Sequence, residues 1–427
     1  MKILVLSNLY PPDIIGGYEL GCKQVVDALR AKGHDARVLT IAPRTPVPVE
    51  PHVLRSLKLS EVWNSNRYVL DKSHDVTRRL LEAEATGVNA YNVHALTKTI
   101  EEFKPDVAYV WMIVGIGGLG LMGTLQHLQV PWLWHLMDDV PVQLCRTRGQ
   151  VVEPLLKEVN RQLDGQYLAC SRQLVDEIES LGVKLQPNVE VVPNWVVGDA
   201  PVAKSAFYRP GDTLRVIAAG QIAQHKGIDI LIESVAEVRD RGYENIEVDI
   251  YGNVEDQFFP TLVRRLGVDD LVTFQGSKPQ SELARLFPLY DLFAFPTWHR
   301  EPFAFAPLEA SWRGCVPLMS QLSGNAEWAV HGVHALKADR NPKAFADSFV
   351  SVLDGTIDLG PVSRRAAAVI GRDFHLDAQV PKIERALAAV ARKPRSRATP
   401  GTAAEAYRMA LLAEKLTKVL VQEAACA

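Results

Sequence analysis

KILVLS, Lys2–Ser7, begins the stretch that decides the fold class. Its short apolar run is the pattern of a strand that is buried on both faces of a sheet. YPPDIIGGY, Tyr10–Tyr18, is a loop rich in breakers, and ELGCKQVVDALRAKG, Glu19–Gly33, carries apolar residues at helical spacing before a terminal glycine. DARVLTIA, Asp35–Ala42, is the next strand. This order of strand, helix and strand predicts a β-α-β unit, and therefore a parallel sheet.

The same order restarts after the loop-like segment Ala203–Asp212. A strand is predicted at Thr213–Gly220, a helix at Ile228–Gly242 and another strand at Ile246–Gly252. We therefore predict an α/β protein of two doubly wound, Rossmann-like domains that face each other across a deep cleft. Ligands of such sheets bind beyond the carboxyl ends of the strands. The predicted division is 1–198 for the N-terminal domain, 199–380 for the C-terminal domain and 381–427 for C-terminal helices.

The last segment predicts an amphipathic helix, because Met409, Leu412, Leu416 and Val419 recur at three-four-three spacing. Such a stripe must be buried, and two alternatives stay open: it docks on the body of the protein, or it forms a homodimer seam. The preceding basic stretch KPRSR, Lys393–Arg397, is interpreted as a solvated linker. Weak contact with a membrane surface through acidic lipid is the alternative.

Composition excludes several classes of protein. The chain has 427 residues, 47% of them hydrophobic and 23% charged, which is typical of globular proteins and long enough for two domains. A net charge of -3 gives no electrostatic case for nucleic acid. The five cysteines are scattered without a C-x-x-C pair, so neither a disulfide framework nor a zinc site is indicated. With no signal-peptide pattern and no apolar run of about 20 residues, a cytoplasmic location is predicted.

EPFAFAPLEASWRGCVP, Glu301–Pro317, places two glutamates eight positions apart in an apolar segment. Pro307 suits the first turn of a helix, so Glu301 should precede that helix and Glu309 should lie near its start. Glutamates accept hydrogen bonds from sugar hydroxyls, and free amides at a helix start favour a phosphate. A nucleotide-sugar offers sugar, diphosphate and ribose together. The amides expected to be free belong to Ala304, Phe305 and Ala306.

The segment Glu301–Ala310 resembles the E-x7-E motif of retaining GT-B glycosyltransferases of glycosyltransferase family 4. Further motifs of that family are matched in the same order over almost the whole chain. They are YPPDIIGGYE at Tyr10–Glu19, GHDARV at Gly33–Val38, VVPNWV at Val191–Val196, AAGQIAQHKGIDILIES at Ala218–Ser234 and SGNAEWAVHGV at Ser323–Val333.

The resemblance implies roles for individual residues. Glu301 would hold hydroxyls of the donor sugar, Glu309 the ribose, and Lys226 would neutralise the departing diphosphate. His135 would be the family's histidine at the donor sugar; alternatively Met137-Asp138 occupies that place and the histidine is missing. The implied catalytic residues are therefore His135, Lys226 and Glu301. The implied donor-binding residues add Gly16, Gly17, Gln221, Phe303, Ala304, Phe305 and Glu309, and further residues expected near them are Asp138, Asn194, His225, His299, Arg300 and Asn325.

Three positions depart from the family pattern. Gln221 replaces an arginine, so one positive charge at the diphosphate is absent. Ala304 and Trp195 replace glycines, and alanine tolerates fewer backbone conformations than glycine. We hypothesise that Arg300 supplies compensating charge.

The resemblance implies retaining transfer of a hexose-type sugar from a nucleoside-diphosphate sugar, with UDP or GDP as the nucleotide. The acceptor is left open among glycan, lipid-linked intermediate and small metabolite. No metal is expected, because the chain shows no paired D-x-D motif after a strand, although Asp138-Asp139 could mimic one.

Two other functions are compatible with parts of the sequence. GIGGLG, Gly115–Gly120, matches the dinucleotide fingerprint G-x-G-x-x-G, and Asp138 lies about 20 residues on, so an NAD-type oxidoreductase is one alternative. A nucleotide-sugar binding module without catalytic activity is the other.

Overall fold

The computed structural model describes residues 1–60, 85–146, 152–185, 189–199 and 204–393. The described residues form two compact units, of which the first comprises those of Met1–Val192 together with Val380–Lys393, and the second comprises those of Pro193–Gln379. The boundaries predicted from the sequence, after residues 198 and 380, differ from these by six residues and one residue. The predicted amphipathic helix and Pro394–Arg397 lie outside the described residues, so the dimer seam and the membrane contact stay predictions.

The first unit contains a parallel sheet whose strand order is β3-β2-β1-β4-β5-β6-β7. The order reverses direction between β1 and β4, which is the doubly wound arrangement. The strands are β1 (Lys2–Leu6), β2 (Asp35–Ile41), β3 (Val53–Leu57), β4 (Val107–Val110), β5 (Trp132–Leu136), β6 (Gln166–Ala169) and β7 (Glu190–Val191).

Helices connect most of the successive strands and cover the sheet. Those described in the first unit are α1 (Gly17–Ala31), α2 (Ala90–Phe103), α3 (Gly118–His127), α4 (Val140–Cys145), α5 (Val152–Arg161) and α6 (Arg172–Ser180). The central strands β1, β4 and β5 are mostly apolar, and all their residues except Lys2 are buried, as is typical of parallel strands covered by helices.

The second unit contains a parallel sheet of order β10-β9-β8-β11-β12-β13, with the reversal between β8 and β11. Its strands are β8 (Leu214–Ala219), β9 (Ile246–Tyr251), β10 (Val272–Phe274), β11 (Leu292–Phe295), β12 (Val316–Ser320) and β13 (Leu336–Ala338). Its helices are α7 (Ile228–Asp240), α8 (Phe258–Leu266), α9 (Gln280–Leu286), α10 (Phe305–Trp312), α11 (Pro342–Leu353) and α12 (Leu359–Asp373). The prediction of two Rossmann-like parallel sheets is confirmed.

The last described helix, α13 (Leu376–Ala391), begins in the second unit and continues as part of the first. Within the first unit the Glu384 carboxylate accepts from His34 Nε2 at 2.9 Å and pairs with Lys32 Nζ at 3.1 Å. Buried Ile383 and Leu387 lie on the same helix. In the described part of the chain, no helix is both long enough and apolar enough to span a bilayer.

Asp291 joins three segments at the amino ends of β8 and β11. Its Oδ1 accepts from Lys204 Nζ at 3.1 Å and from the Tyr208 amide at 3.2 Å, and its Oδ2 accepts from the Arg215 amide at 3.2 Å. The Lys204 and Asp291 side chains are only 8% and 11% exposed. A buried carboxylate with this many donors fixes β11 beside β8, because each donor would lose its partner if the strands separated.

We expect Asp291→Ala to lower the free energy of unfolding by about 3–5 kcal/mol, because it leaves the Lys204 ammonium buried without its counter-ion. Denaturant unfolding of both proteins measures the difference. Asp347→Ala is the matched control in the same unit, since Asp347 pairs with Arg241 at the surface and exposed pairs contribute at most about 1 kcal/mol. Equal losses for the two variants would show that Asp291 does not hold the strands.

Candidate active site

The predicted site residues are divided between the two units, and each set is described within its own unit. In the second unit, Lys226 lies on a turn after β8. The turn Gln224–Lys226 ends at Gly227, whose φ is 75°. A Cβ at Gly227 would lie 2.1 Å from the carbonyl oxygen of Pro296, which follows β11. Glycine is therefore required, both for the left-handed backbone and for the close approach of the two segments.

Lys226 and Glu301 form an ion pair at the carboxyl ends of these neighbouring strands. Lys226 Nζ donates to Glu301 Oε2, which also accepts from Thr297 Oγ1 at 3.4 Å. Glu301 is 9% exposed, whereas the Lys226 side chain is 29% exposed. The pair thus presents a fixed carboxylate and an ammonium that solvent can reach.

The start of α10 has fewer free amides than predicted. The Ala304 amide donates to Asn325 Oδ1 at 2.7 Å, and Asn325 Nδ2 donates to the Ala304 carbonyl at 2.9 Å. The prediction that the Ala304 amide is free is therefore wrong, because the fully buried Asn325 side chain occupies both polar groups of that residue. Pro307 has no amide hydrogen. Within the described residues, the Phe305 and Ala306 amides have no hydrogen-bond acceptor, so two donors remain at this helix start.

Asn194 and Trp195 support the loop before α10 and the start of that helix. Asn194 Nδ2 donates to the Phe303 carbonyl at 2.5 Å. The Phe303 ring is 4% exposed and stacks on Phe374 with ring centres 6.0 Å apart, so it supports the loop instead of facing a ligand. Trp195 packs edge-on against Phe305 at 5.8 Å. Trp195, which replaces the family's glycine, is therefore a buried residue that packs against the start of α10.

Glu309 lies on α10 and its carboxylate accepts from Gln280 Nε2, at the start of α9. Burial raises the pKa of the Glu309 carboxyl, and the Gln280 hydrogen bond and the Arg313 charge oppose that rise. Gln280 was not predicted as a site residue. No local pattern marks it, because the two partners are 29 positions apart in the chain.

The remaining predicted residues of this unit lie around the Lys226 turn. The Trp298 amide donates to the His225 carbonyl at 3.0 Å, and the two rings lie 5.0 Å apart. Burial lowers the pKa of His225, as does the charge of Lys226. The Arg300 guanidinium lies 5.3 Å from the centre of the Trp298 ring. Gln221 and His299 are exposed.

In the first unit, the Gly-rich loop leads into α1. Gly16 is the N-cap residue, and its amide donates to the Glu19 carboxylate at 3.0 Å. The Ile15 amide donates to the same carboxylate at 3.2 Å. Burial raises the pKa of Glu19. The Gly16 amide therefore already has an acceptor. The Gly17 amide has none among the described residues.

His135 is a core residue, which contradicts its predicted contact with the donor sugar. It lies on β5, is 0% exposed, and its Nδ1 is 2.7 Å from the Tyr109 hydroxyl. The Trp111 ring lies 5.0 Å away. Burial lowers the pKa of His135 to about 3, so the ring is neutral.

Met137-Asp138, the alternative for the family position, follows the end of β5, and this alternative stays a prediction. Here the Met137 amide donates to the Tyr18 hydroxyl at 3.1 Å, and Asp138 Oδ1 accepts from the Asp139 amide at 2.8 Å. In the described segments, no group of three or more His, Cys, Asp or Glu is placed to hold a metal ion.

The glycine run Gly115–Gly120 is buried, which contradicts a dinucleotide site there. The amides of Gly115 and Gly117 donate to the Ala85 carbonyl at 3.0 and 2.9 Å, and the Gly120 amide donates to the Gly87 carbonyl at 2.8 Å. A Cβ at Gly117 would lie 2.3 Å from the Asn89 amide nitrogen. These amides therefore cannot hold a pyrophosphate, and the glycines allow close backbone packing.

Two family models match the chain. The model described as glycosyl transferases group 1 matches residues 203–367, and the glycosyl transferase 4-like domain matches residues 16–195. Together they cover about four fifths of the chain.

Individual proteins of known sequence and structure agree with these models. A glycosyltransferase of Methanocaldococcus jannaschii, described as uncharacterized, is 22% identical over 81% of this chain and 87% of its own length. A D-inositol 3-phosphate glycosyltransferase of Corynebacterium efficiens is 25% identical over 53% of this chain, and the match spans 60% of that protein. The crystal structure of Anabaena Alr3699/HepE in complex with UDP and glucose has a TM-score of 0.64 at 16% identity, over 91% of this chain and 100% of that one.

We expect the buried His135 ring to make stability depend on pH. Its pKa is about 3 in the folded protein and about 6.5 when unfolded, so between these values only the unfolded chain binds the proton. Stability should therefore fall as pH falls from 6.5 towards 3, and by about 2–3 kcal/mol from pH 7 to 4.5 for this group. Denaturant unfolding of wild type and His135→Gln at both pH values measures it. Parallel losses in the two proteins would show that His135 is protonated in the folded state.

Proposed function

The chain belongs to the GT-B glycosyltransferases, with a group 1 domain and a family-4-like domain, and we propose that it transfers a hexose-type sugar from a nucleoside-diphosphate sugar with retention of configuration. UDP or GDP is the proposed nucleotide, and the complex of Alr3699/HepE with UDP and glucose supports the former. The acceptor is a hydroxyl of a glycan, a lipid-linked intermediate or a small metabolite.

The Lys226–Glu301 pair carries this proposal. A nucleoside-diphosphate leaving group gains negative charge as the bond to the sugar breaks, and a pre-positioned ammonium stabilises that charge without reorganisation. Lys226 is held by the carboxylate and remains partly exposed, so it can approach a diphosphate while it stays oriented.

The same loop offers groups for the rest of the donor. The open amides of Phe305 and Ala306 lie at the positive end of α10, where the helix dipole favours phosphate oxygens. Glu301 Oε1 can accept hydrogen bonds from hydroxyl groups of the sugar, because the hydrogen bonds from Lys226 and Thr297 are made to Oε2. Glu309 can accept from the ribose through the oxygen that does not bond Gln280.

The burial of His135 excludes this histidine as the base of the proposed reaction. A neutral ring of low pKa inside the sheet cannot take a proton from an acceptor hydroxyl at the surface. In the proposed reaction the departing phosphate accepts that proton, while the protein supplies position and electrostatic stabilisation.

Lys226→Ala and Glu301→Gln should each reduce kcat/KM at least about tenfold, because each removes about 1.4 kcal/mol or more of transition-state stabilisation. The donor is first identified by thermal shift against UDP-, GDP-, ADP- and TDP-hexoses, and turnover is then followed as release of the free nucleotide. Proton NMR of the product reports whether the anomeric configuration is retained.

Lys343→Ala is the matched control, since Lys343 is an exposed lysine of the same unit that pairs with Asp347. It should leave kcat/KM unchanged. Wild-type turnover in both Lys226→Ala and Glu301→Gln would refute the assignment of the site, and inversion at the anomeric carbon would refute the retaining reaction.

We also propose that transfer needs no divalent metal, because the Lys226 ammonium and the α10 amides can take the charge of the leaving group. Activity should persist unchanged after dialysis against EDTA. Loss of activity that Mg²⁺ or Mn²⁺ restores would contradict this.

A further inference from the structure

Arg340 connects the two segments that carry the Lys226–Glu301 pair. Its Nε donates to the Pro296 carbonyl at 3.1 Å, and its Nη2 donates to the Gln224 carbonyl at 2.6 Å. Gln224 begins the turn that presents Lys226, and Pro296 begins the loop that leads to Glu301. One guanidinium therefore spans both segments.

The backbone on either side of Arg340 is fixed. On one side β13 ends at Ala338, whose carbonyl accepts from the Gln321 amide at 3.0 Å. On the other side Asn341 is the N-cap of α11 and its side chain accepts from the Ala344 amide at 2.9 Å. The guanidinium thus extends from a rigid base, which is what a residue that sets the distance between two loops requires.

Arginine suits this position better than lysine would. Its planar group offers N–H donors in fixed directions, so it can bind two carbonyls of different segments at once. The Arg340 charge is also near the turn, because it contributes to the lowered pKa of His225 after burial and Lys226.

We propose that Arg340 is a positioning residue of the donor site: it holds the turn that presents Lys226 against the loop that presents Glu301, so that ammonium and carboxylate reach one donor molecule. This inference rests on the proposed function of that pair. Arg340 acts through the two carbonyls and does not contact the donor. A small displacement of one loop is sufficient to matter, since a misplacement of about 1 Å can reduce a rate about 100-fold.

The chain provides a matched control in Arg365. Its Nε donates to the Val333 carbonyl at 3.1 Å and its Nη2 to the Gly332 carbonyl at 3.4 Å, in the same unit. These two residues end the matched motif Ser323–Val333, and neither was predicted as a site residue. Arg340→Ala and Arg365→Ala therefore remove the same kind of contact at two places.

We expect Arg340→Ala to lower kcat/KM at least about tenfold, and Arg340→Lys to restore little of it, because an ammonium lacks the fork geometry. Guanidinium ion at millimolar concentration should restore activity of Arg340→Ala several-fold and in a saturable manner. Arg365→Ala should show neither the loss nor the rescue. Wild-type kcat/KM in Arg340→Ala, or an equal loss in Arg365→Ala, would overturn the proposal.

A second measurement does not depend on a donor. Acetylation of lysines, followed by peptide mass spectrometry, should modify Lys226 several-fold faster in Arg340→Ala than in wild type, because the turn no longer holds Lys226 against Glu301. Lys343 should react equally in both proteins. An unchanged acetylation rate at Lys226 in Arg340→Ala would overturn the positioning role. If the rate increases in the variant but the wild-type protein transfers no sugar, the positioning role stands and the proposed function is refuted.

Discussion

The neighbouring positions of β8 and β11 in the second sheet determine where the ion pair of the candidate site forms. The strand order reverses direction between these two strands, so their carboxyl ends lie side by side at one edge of the sheet. One end delivers Lys226 and the other delivers Glu301, residues that are 75 positions apart in the chain. At the opposite end of the same strands, the Asp291 carboxylate joins backbone and side-chain donors and fixes the same neighbours. The ion pair is therefore a consequence of the strand order, and Asp291 fixes the same two strands at their amino ends.

The second constraint on the site is the number of amides at the start of α10. A helix begins with donors that have no partner within the helix, and each must find an acceptor or face solvent. Here a proline lacks one and the Asn325 side chain takes another, which leaves Phe305 and Ala306. The loop therefore has fewer amides to bind an anion than its sequence indicates. The Asn325 side chain, which binds Ala304, fixes the backbone that presents them.

Much of this architecture follows from the sequence, because short apolar runs between breakers and periodic helices report local structure directly. The helix that begins near Pro307, and the places of the two glutamates before and on it, were predicted in this way, whereas Lys226 was singled out through the resemblance to the family. The errors arise where a contact joins distant positions: Asn325 with Ala304, Gln280 with Glu309, and Arg340 with two carbonyls. His135 is instructive, since WLWHL is apolar around it and a strand buried on both faces leaves no surface for its ring. The glycine run at 115–120 satisfied a spacing rule, but the amides of Gly115, Gly117 and Gly120 already have acceptors.

The reciprocal pairing of Asn325 with Ala304 has a consequence for the ageing of the protein. The side-chain amide accepts from the backbone N–H through its oxygen and donates to the carbonyl of the same residue through its nitrogen. Slow hydrolysis of that amide to a carboxylate, the commonest chemical damage to asparagine, would retain the shape and lose the donor. It would also place a negative charge beside the Phe305 and Ala306 amides, which are proposed to bind a phosphate. A spontaneous chemical change at one residue, without any mutation, would then prevent donor binding in a protein that is otherwise intact.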